Sequence, residues 1–210
     1  MITLLKKIFC IFICITFILS GLVFTGTAGD ENNPEIVDIE NDLMGGRRGI
    51  LLPRIFYPIF NYVDILSGWF FENQNQQDIL FASIKMKTFD YKPFNSRFII
   101  FWYYDYVDYV AGFSFHSNGD FKVGFAGYID ENGTEHLQAI NYLIDEENGI
   151  ITFQIPKDFI GNPIAGEELL YPWIWTGCNF QNTFLNQFWP WELAKDFTFE
   201  YDGSPYIIQY

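Results

Sequence analysis

Three turn signals follow one another closely in this chain: Ser117-Asn-Gly-Asp120, Asp130-Glu-Asn-Gly133 and Asp145-Glu-Glu-Asn-Gly149. Asn and Gly adopt the left-handed backbone that tight hairpins require, so each cluster turns the chain back beside itself. The segments between them are too short to hold a crossover helix, and a parallel βαβ arrangement is excluded. What remains is an antiparallel, all-β chain. Residues 121–129 support this directly, because Phe121, Val123 and Phe125 alternate with Lys122 and Gly124.

The same rhythm extends in both directions. Residues 62–72 (YVDILSGWFFE) read as a strand, 73–78 as a turn and 79–89 (ILFASIKMKTF) as the hairpin partner. Residues 97–106 (RFIIFWYYDY) and 107–116 (VDYVAGFSFH) are strands that are apolar on both faces in places, as in a strand shared between a core and a binding face. Residues 134–144 and 150–155 continue the series. Only 156–160 (PKDFI) reads as helical, with Pro156 in the first turn and Gly161 closing it. Residues 161–194 read as irregular and aromatic, with 197–201 and 206–210 as closing strands. The spacing predicts an antiparallel β-sandwich, jelly-roll-like, over residues 54–210.

Residues 1–28 have a different character. Lys6 and Lys7 precede an apolar run over 8–24, and Thr25-Gly26-Thr27-Ala28 ends it with small residues. This is the pattern of a secretory signal peptide. The run stands at the short edge of the roughly 17–25 residues that span a bilayer, so an uncleaved anchor is the competing reading. In either case the body is expected to be secreted or at the cell surface, touching membrane only through this segment if it is uncleaved. Residues 29–53 form an acidic, Gly-rich lead-in, with one short strand at 35–39 and the loop Met44-Gly-Gly-Arg-Arg-Gly49.

Export changes the meaning of the composition. Of three cysteines only Cys178 lies beyond the signal, so the body has no internal disulfide and is expected to rely on its core. Removing Lys6 and Lys7 from the twelve basic residues leaves ten against 26 acidic, a net charge of −16. Nucleic acid is excluded as a partner, since such a surface releases no counterions from phosphates. The body also retains 20 of the 24 Phe, with all 13 Tyr and 6 Trp. Side chains of this kind fit pleated, half-buried surfaces.

Residues 151–166 (ITFQIPKDFIGNPIAG) place a strand ending in Ile-Pro-Lys before an Ile-Gly-Asn-Pro turn and a Gly. With Pro34-Glu-Ile-Val-Asp38, Tyr62-Val-Asp-Ile-Leu-Ser-Gly-Trp-Phe70, Gly177 and Tyr206-Ile-Ile-Gln-Tyr210, this resembles a β-sandwich module of exported archaeal and bacterial proteins. That module is sometimes attached to secreted subtilisin-like proteases or surface proteins. The resemblance covers most of residues 34–210 and implies a jelly-roll-like sandwich, similar in shape to DOMON and family-9-like carbohydrate-binding modules. No catalytic residues come with it. The loop at 45–49 and the aromatic stretch after Gly177 depart from it.

Catalytic constellations are sparse. The chain lacks G-x-S-x-G, H-E-x-x-H and P-loop motifs, and two histidines, His116 and His136, cannot form a three-histidine metal site. The expectation leans against an enzyme. A small glycoside hydrolase, working through acids such as Asp64, Asp105 or Asp108, is the catalytic alternative. No cofactor is expected. Asp30, Glu31, Glu35, Asp38, Glu40 and Asp42 would suit calcium, but their spacing matches no EF-hand loop.

The strongest functional signal is residues 172–191 (PWIWTGCNFQNTFLNQFWPW), which set aromatic rings among amides with almost no charge. A pyranose face stacks on a ring while its hydroxyls bond to amides. Trp173, Trp175, Trp189 and Trp191 are therefore the candidate ligand contacts, for a glycan or a surface protein. A purely structural surface protein with these rings buried is the alternative. Asn132-Gly133-Thr134 is a candidate N-glycosylation site at a hairpin tip.

Overall fold

The computed structural model describes residues 29–45, 50–51, 54, 57–89, 94–115, 122–180, 194–198 and 203–210. The signal segment 1–28, residues 46–49 of the arginine loop, His116, Trp189 and Trp191 lie outside the described residues.

The strands are β1 (Ile36–Val37), β2 (Met44–Gly45), β3 (Ile50–Leu51), β4 (Ile65–Asn73), β5 (Gln76–Met86), β6 (Phe94–Tyr104), β7 (Val107–Phe115), β8 (Lys122–Ile129), β9 (Glu135–Asp145), β10 (Ile150–Pro156), β11 (Glu168–Phe180), β12 (Ala194–Phe197) and β13 (Tyr206–Ile207). A single helical turn, α1 (Tyr57–Phe60), and a 3-10 turn over Lys157–Ile160 complete the described elements. Every pairing is antiparallel. The strand order is β1-β4-β5-β10-β9-β8-β7-β6-β11-β12-β2-β3, with β13 on β11.

The turns behave as their residues dictate. Gly133 and Gly149 take φ of 75° and 71° at the ends of the β8–β9 and β9–β10 turns. A Cβ on Gly149 would also lie 2.5 Å from the Met86 carbonyl oxygen, so glycine is required there twice over. The β6–β7 turn departs from the usual chemistry, because Asp105 and Tyr106 both have positive φ without a glycine. Gly161 closes the 3-10 turn at φ 81°, as the sequence predicts.

The sheet curls until its two arms face each other. Phe70 of β4 packs edge-on against Trp102 of β6, with ring centroids 5.6 Å apart. Ile174 of β11 fills the space over Gly68 of β4, where a Cβ would lie 2.4 Å from its Cδ1. Phe98, Phe113, Phe153, Ile151 and Ile155 are fully buried between the arms. Strand β10 shows the cause plainly: its residues alternate between half-buried and buried along the whole strand. Cys178 is buried with them.

A buried ion pair is set into this core. Lys157 and Glu72 are both buried and pair at 2.6 Å. Lys157 also donates to the Tyr210 carbonyl, and Glu72 accepts from the Tyr206 hydroxyl and the Gln209 amide. The C-terminal residues are thereby fastened to β4 and the 3-10 turn.

The structure corrects the reading of residues 161–194 as irregular. Residues Glu168–Phe180 form β11, the longest strand, which pairs with β6 from Leu170 to Phe180. Pro172 and aromatics on both faces hide it in the sequence. The register shifts between Leu170 and Trp173, where Tyr171 has φ 52°, so Pro172 sits in an irregularity rather than in a regular ladder.

Candidate functional site

The strands that carry the core on one face carry a second apolar surface on the other. Registers place its residues in rows. Trp173, Phe101, Val110, Gly127 and Leu137 lie in one row across β11, β6, β7, β8 and β9. The next row runs Phe197, Trp175, Ile99, Gly112, Phe125, Ala139, starting from β12. A third carries Lys195, Gly177, Arg97, Ser114 and Val123. From these rows Trp175, Ile99, Phe101, Phe125 and Leu137 line a groove of about 620 Å³ with Arg97 and Glu135, while Trp173 lines a smaller neighbouring cavity that shares Phe101.

Glycines shape this surface. The Trp175 indole lies across Gly177, so that a Cβ there would stand 2.7 Å from its Cζ2 and Cη2. The Phe125 ring lies over Gly112 in the same way, 2.5 Å from where a Cβ would be. Trp173 stacks on Phe101 with centroids 4.2 Å apart and planes 10° from parallel. Trp175 and Phe125 thus each cover a glycine of the sheet, and Trp173 and Phe101 turn a face to each other. Arg97 is exposed beside them.

Two of the four candidate tryptophans, Trp173 and Trp175, are thus brought together on this surface, both half-buried. The sequence pattern misses Phe101, Phe125 and Arg97 as their neighbours, because only strand order joins them. Alternation within 97–101 and 121–125 is the signal that could have found them. Asn132 is exposed in the β8–β9 turn. Of the acids weighed for hydrolysis, Asp108 shares a row with Glu135, an acid the sequence pattern does not single out, on either side of Ile129. Two strand spacings put their backbones roughly 10 Å apart. Asp105 is exposed in its turn, and Asp64 is fully buried on the opposite side. His136 stacks on Tyr128 and bonds to Asp130 at 3.1 Å, a local role at the turn.

A second cluster forms where the lead-in meets the sheet. The six acids of 30–42 are dispersed: Asp30 accepts from the Asn32 and Asn33 amides, Glu31 pairs with Lys85, and Glu40 pairs with Lys87 at 2.6 Å. Glu35 accepts from the Phe70 amide at 2.9 Å, and burial pushes its carboxyl up to about 7. Asp38 and Asp42 meet Asp196 of β12, with one carboxylate oxygen from each lying within 4.8 Å of the others. Asp64 stands nearby and accepts from the Asn41 amide at 3.1 Å.

Asp196 is 2 % exposed and accepts from the Ile65 and Phe197 amides. Burial raises the Asp196 carboxyl, and the Asp38 charge adds to it. Burial also pushes Asp38 up to about 7 and raises Asp42 and Asp64. All-oxygen donors of this kind suit a hard cation.

Compared with known proteins, the chain matches no family model, no curated protein and no solved structure.

Proposed function

We propose that this chain is an exported, non-catalytic binding module, a jelly-roll-like sandwich whose outer sheet face takes a glycan. The observation that carries this reading is the Trp175 indole laid over Gly177, in one groove with Phe125 and with Phe101, whose ring stacks on Trp173 beside the groove. Flat apolar faces suit the C–H face of a pyranose. Arg97, Ser114 and Glu135 offer donors and acceptors for its hydroxyls. A volume near 620 Å³ is that of a small-ligand site. The secretory pattern of residues 1–28 and the resemblance to carbohydrate-binding-like modules support the same conclusion.

The test is retention on insoluble and immobilised polysaccharides, neutral and acidic, compared with Trp175→Ala and Gly177→Val. Binding that both substitutions abolish, with the fold intact by circular dichroism, is the expected outcome. Retention unchanged by both would sink the reading. Release of reducing sugar from a bound polysaccharide would overturn its non-catalytic part and point to Asp108 and Glu135.

A further inference from the structure

The acid cluster gathers more negative charge than its pairings among the described residues offset. Asp38, Asp42 and Asp196 bring three carboxylates together, with Asp64, fully buried, beside them. Among the described residues, Lys87 forms an ion pair with this group. Lys87 stands 3.9 Å from Asp64 but bonds at 2.6 Å to Glu40 and at 2.7 Å to Asn41 Oδ1, so its contacts lie at the rim. One carboxylate oxygen of Asp196 lies within 4.8 Å of one from each of Asp38 and Asp42. A carboxylate has no proton to donate, and such a contact is stable only with a proton or a cation between the oxygens.

Two individual atoms decide between a solvated acidic patch and a site. Oδ2 of Asp38 and Oδ1 of Asp42 are wholly buried and have no hydrogen-bond partner among the described residues. A buried carboxylate oxygen left without a donor costs free energy that the fold must recover elsewhere. Both oxygens belong to the group that closes on Asp196. Each of these oxygens can take one more partner, a proton or a cation.

We infer that Asp38, Asp42 and Asp196, supported by Asp64, form a calcium site that fastens the lead-in to the sheet. The donor set is purely oxygen, without His or Cys, which disfavours zinc and copper and selects a hard cation. Calcium fits better than magnesium because it accepts an irregular carboxylate shell from flexible loops and dehydrates readily. The ligands come from the loop after β1 and from β12. The ion therefore joins residues that the sequence separates by most of the domain. It neutralises charge that would otherwise push the lead-in away from Asp64 and Asp196.

Calcium alone is the probe. Thermal denaturation and titration calorimetry of the whole chain, at mildly alkaline pH and constant ionic strength, compare calcium chloride with EDTA. Calcium is expected to bind with one-to-one stoichiometry and raise Tm, while magnesium leaves Tm at its EDTA value. Asp42→Asn removes one ligand charge at a half-exposed position, so the protein is expected to fold and to lose at least about tenfold in calcium affinity. Asp196→Asn is expected to lose more, and if it does not fold, Asp42→Asn carries the test. A Tm identical in calcium and EDTA overturns the inference, since protons then hold the carboxylates. Equal responses to magnesium and calcium overturn the choice of calcium.

Discussion

The two faces of β6 and β11 are built from the same kinds of residue and do different work. On the inner face Phe98, Ile100 and Ile174 are fully buried, and the opposing arm of the sheet covers them. On the outer face Ile99, Phe101, Trp173 and Trp175 are only half-buried, although their neighbours in the strand differ by one position. Hydrophobicity is the same, but company is not. An apolar row becomes core when a second layer closes over it, and it stays half-buried where, among the described residues, its own rings lie over glycines and no second layer covers them.

Substitutions on each face sharpen that contrast. The largest effect is expected for Phe113→Ala, which empties a fully buried site and should cost about 3–5 kcal/mol in urea denaturation. Trp175→Ala on the outer face should cost only about 1–2 kcal/mol while removing polysaccharide retention. If the two cost the same stability, the outer face is core and the comparison fails.

Buried charge is the exception in this core, and Lys157→Met probes one case of it. Glu72 would then be left as a buried carboxylate with only the Tyr206 hydroxyl and the Gln209 amide. A loss of about 3–5 kcal/mol is expected at most, and a larger loss than Trp175→Ala in any case. A neutral result would mean that the C-terminal residues hold without the ion pair.

The smallest expected effect is a matter of pH. Burial raises Glu35 from 4.5 to about 7, so the folded state holds a proton there that the unfolded chain releases. That contribution is complete below about pH 4.5 and is lost as pH rises through about 7. Glu35→Gln keeps an acceptor for the Phe70 amide and removes the titration. Urea midpoints measured in EDTA should therefore fall less steeply over this range in the variant. An unchanged slope would assign the pH dependence to other carboxylates.

Much of the fold is legible in the sequence, for a local reason. The β8–β9 and β9–β10 turns are set by Asn-Gly pairs a few residues long, and the strands they join follow from alternation. Strand β11 is not legible, because Pro172 breaks the pattern and Trp173 and Trp175 look as apolar as the buried Ile174 between them. The sites follow the same division. Asp38 and Asp42 are neighbours in sequence and suggest a cation from composition alone. Asp196 and Asp64 reach them only through the sheet, by way of β12 and the turn before β4. Trp175 stands out as a candidate and alternation marks Phe125, but their meeting is hidden, since three intervening strand pairings place them in one row.

The strand order also bears on how the chain reaches this state. Strands β6 to β10 are each joined to the next in sequence by short connections, so they can zip together one hairpin at a time. The pairings that close the structure are of another kind: β5 meets β10 with Ile79 opposite Pro156, and β6 meets β11 with Phe101 opposite Trp173. Each requires a long excursion of chain to be ordered before it gains anything, which slows folding. Pulsed hydrogen exchange should accordingly find amides of β7 to β9 protected before those of β4 and β5, and simultaneous protection would refute it. A chain built this way spends its early life as an incomplete meander, with the edges of β6 and β10 open until the outlying strands arrive.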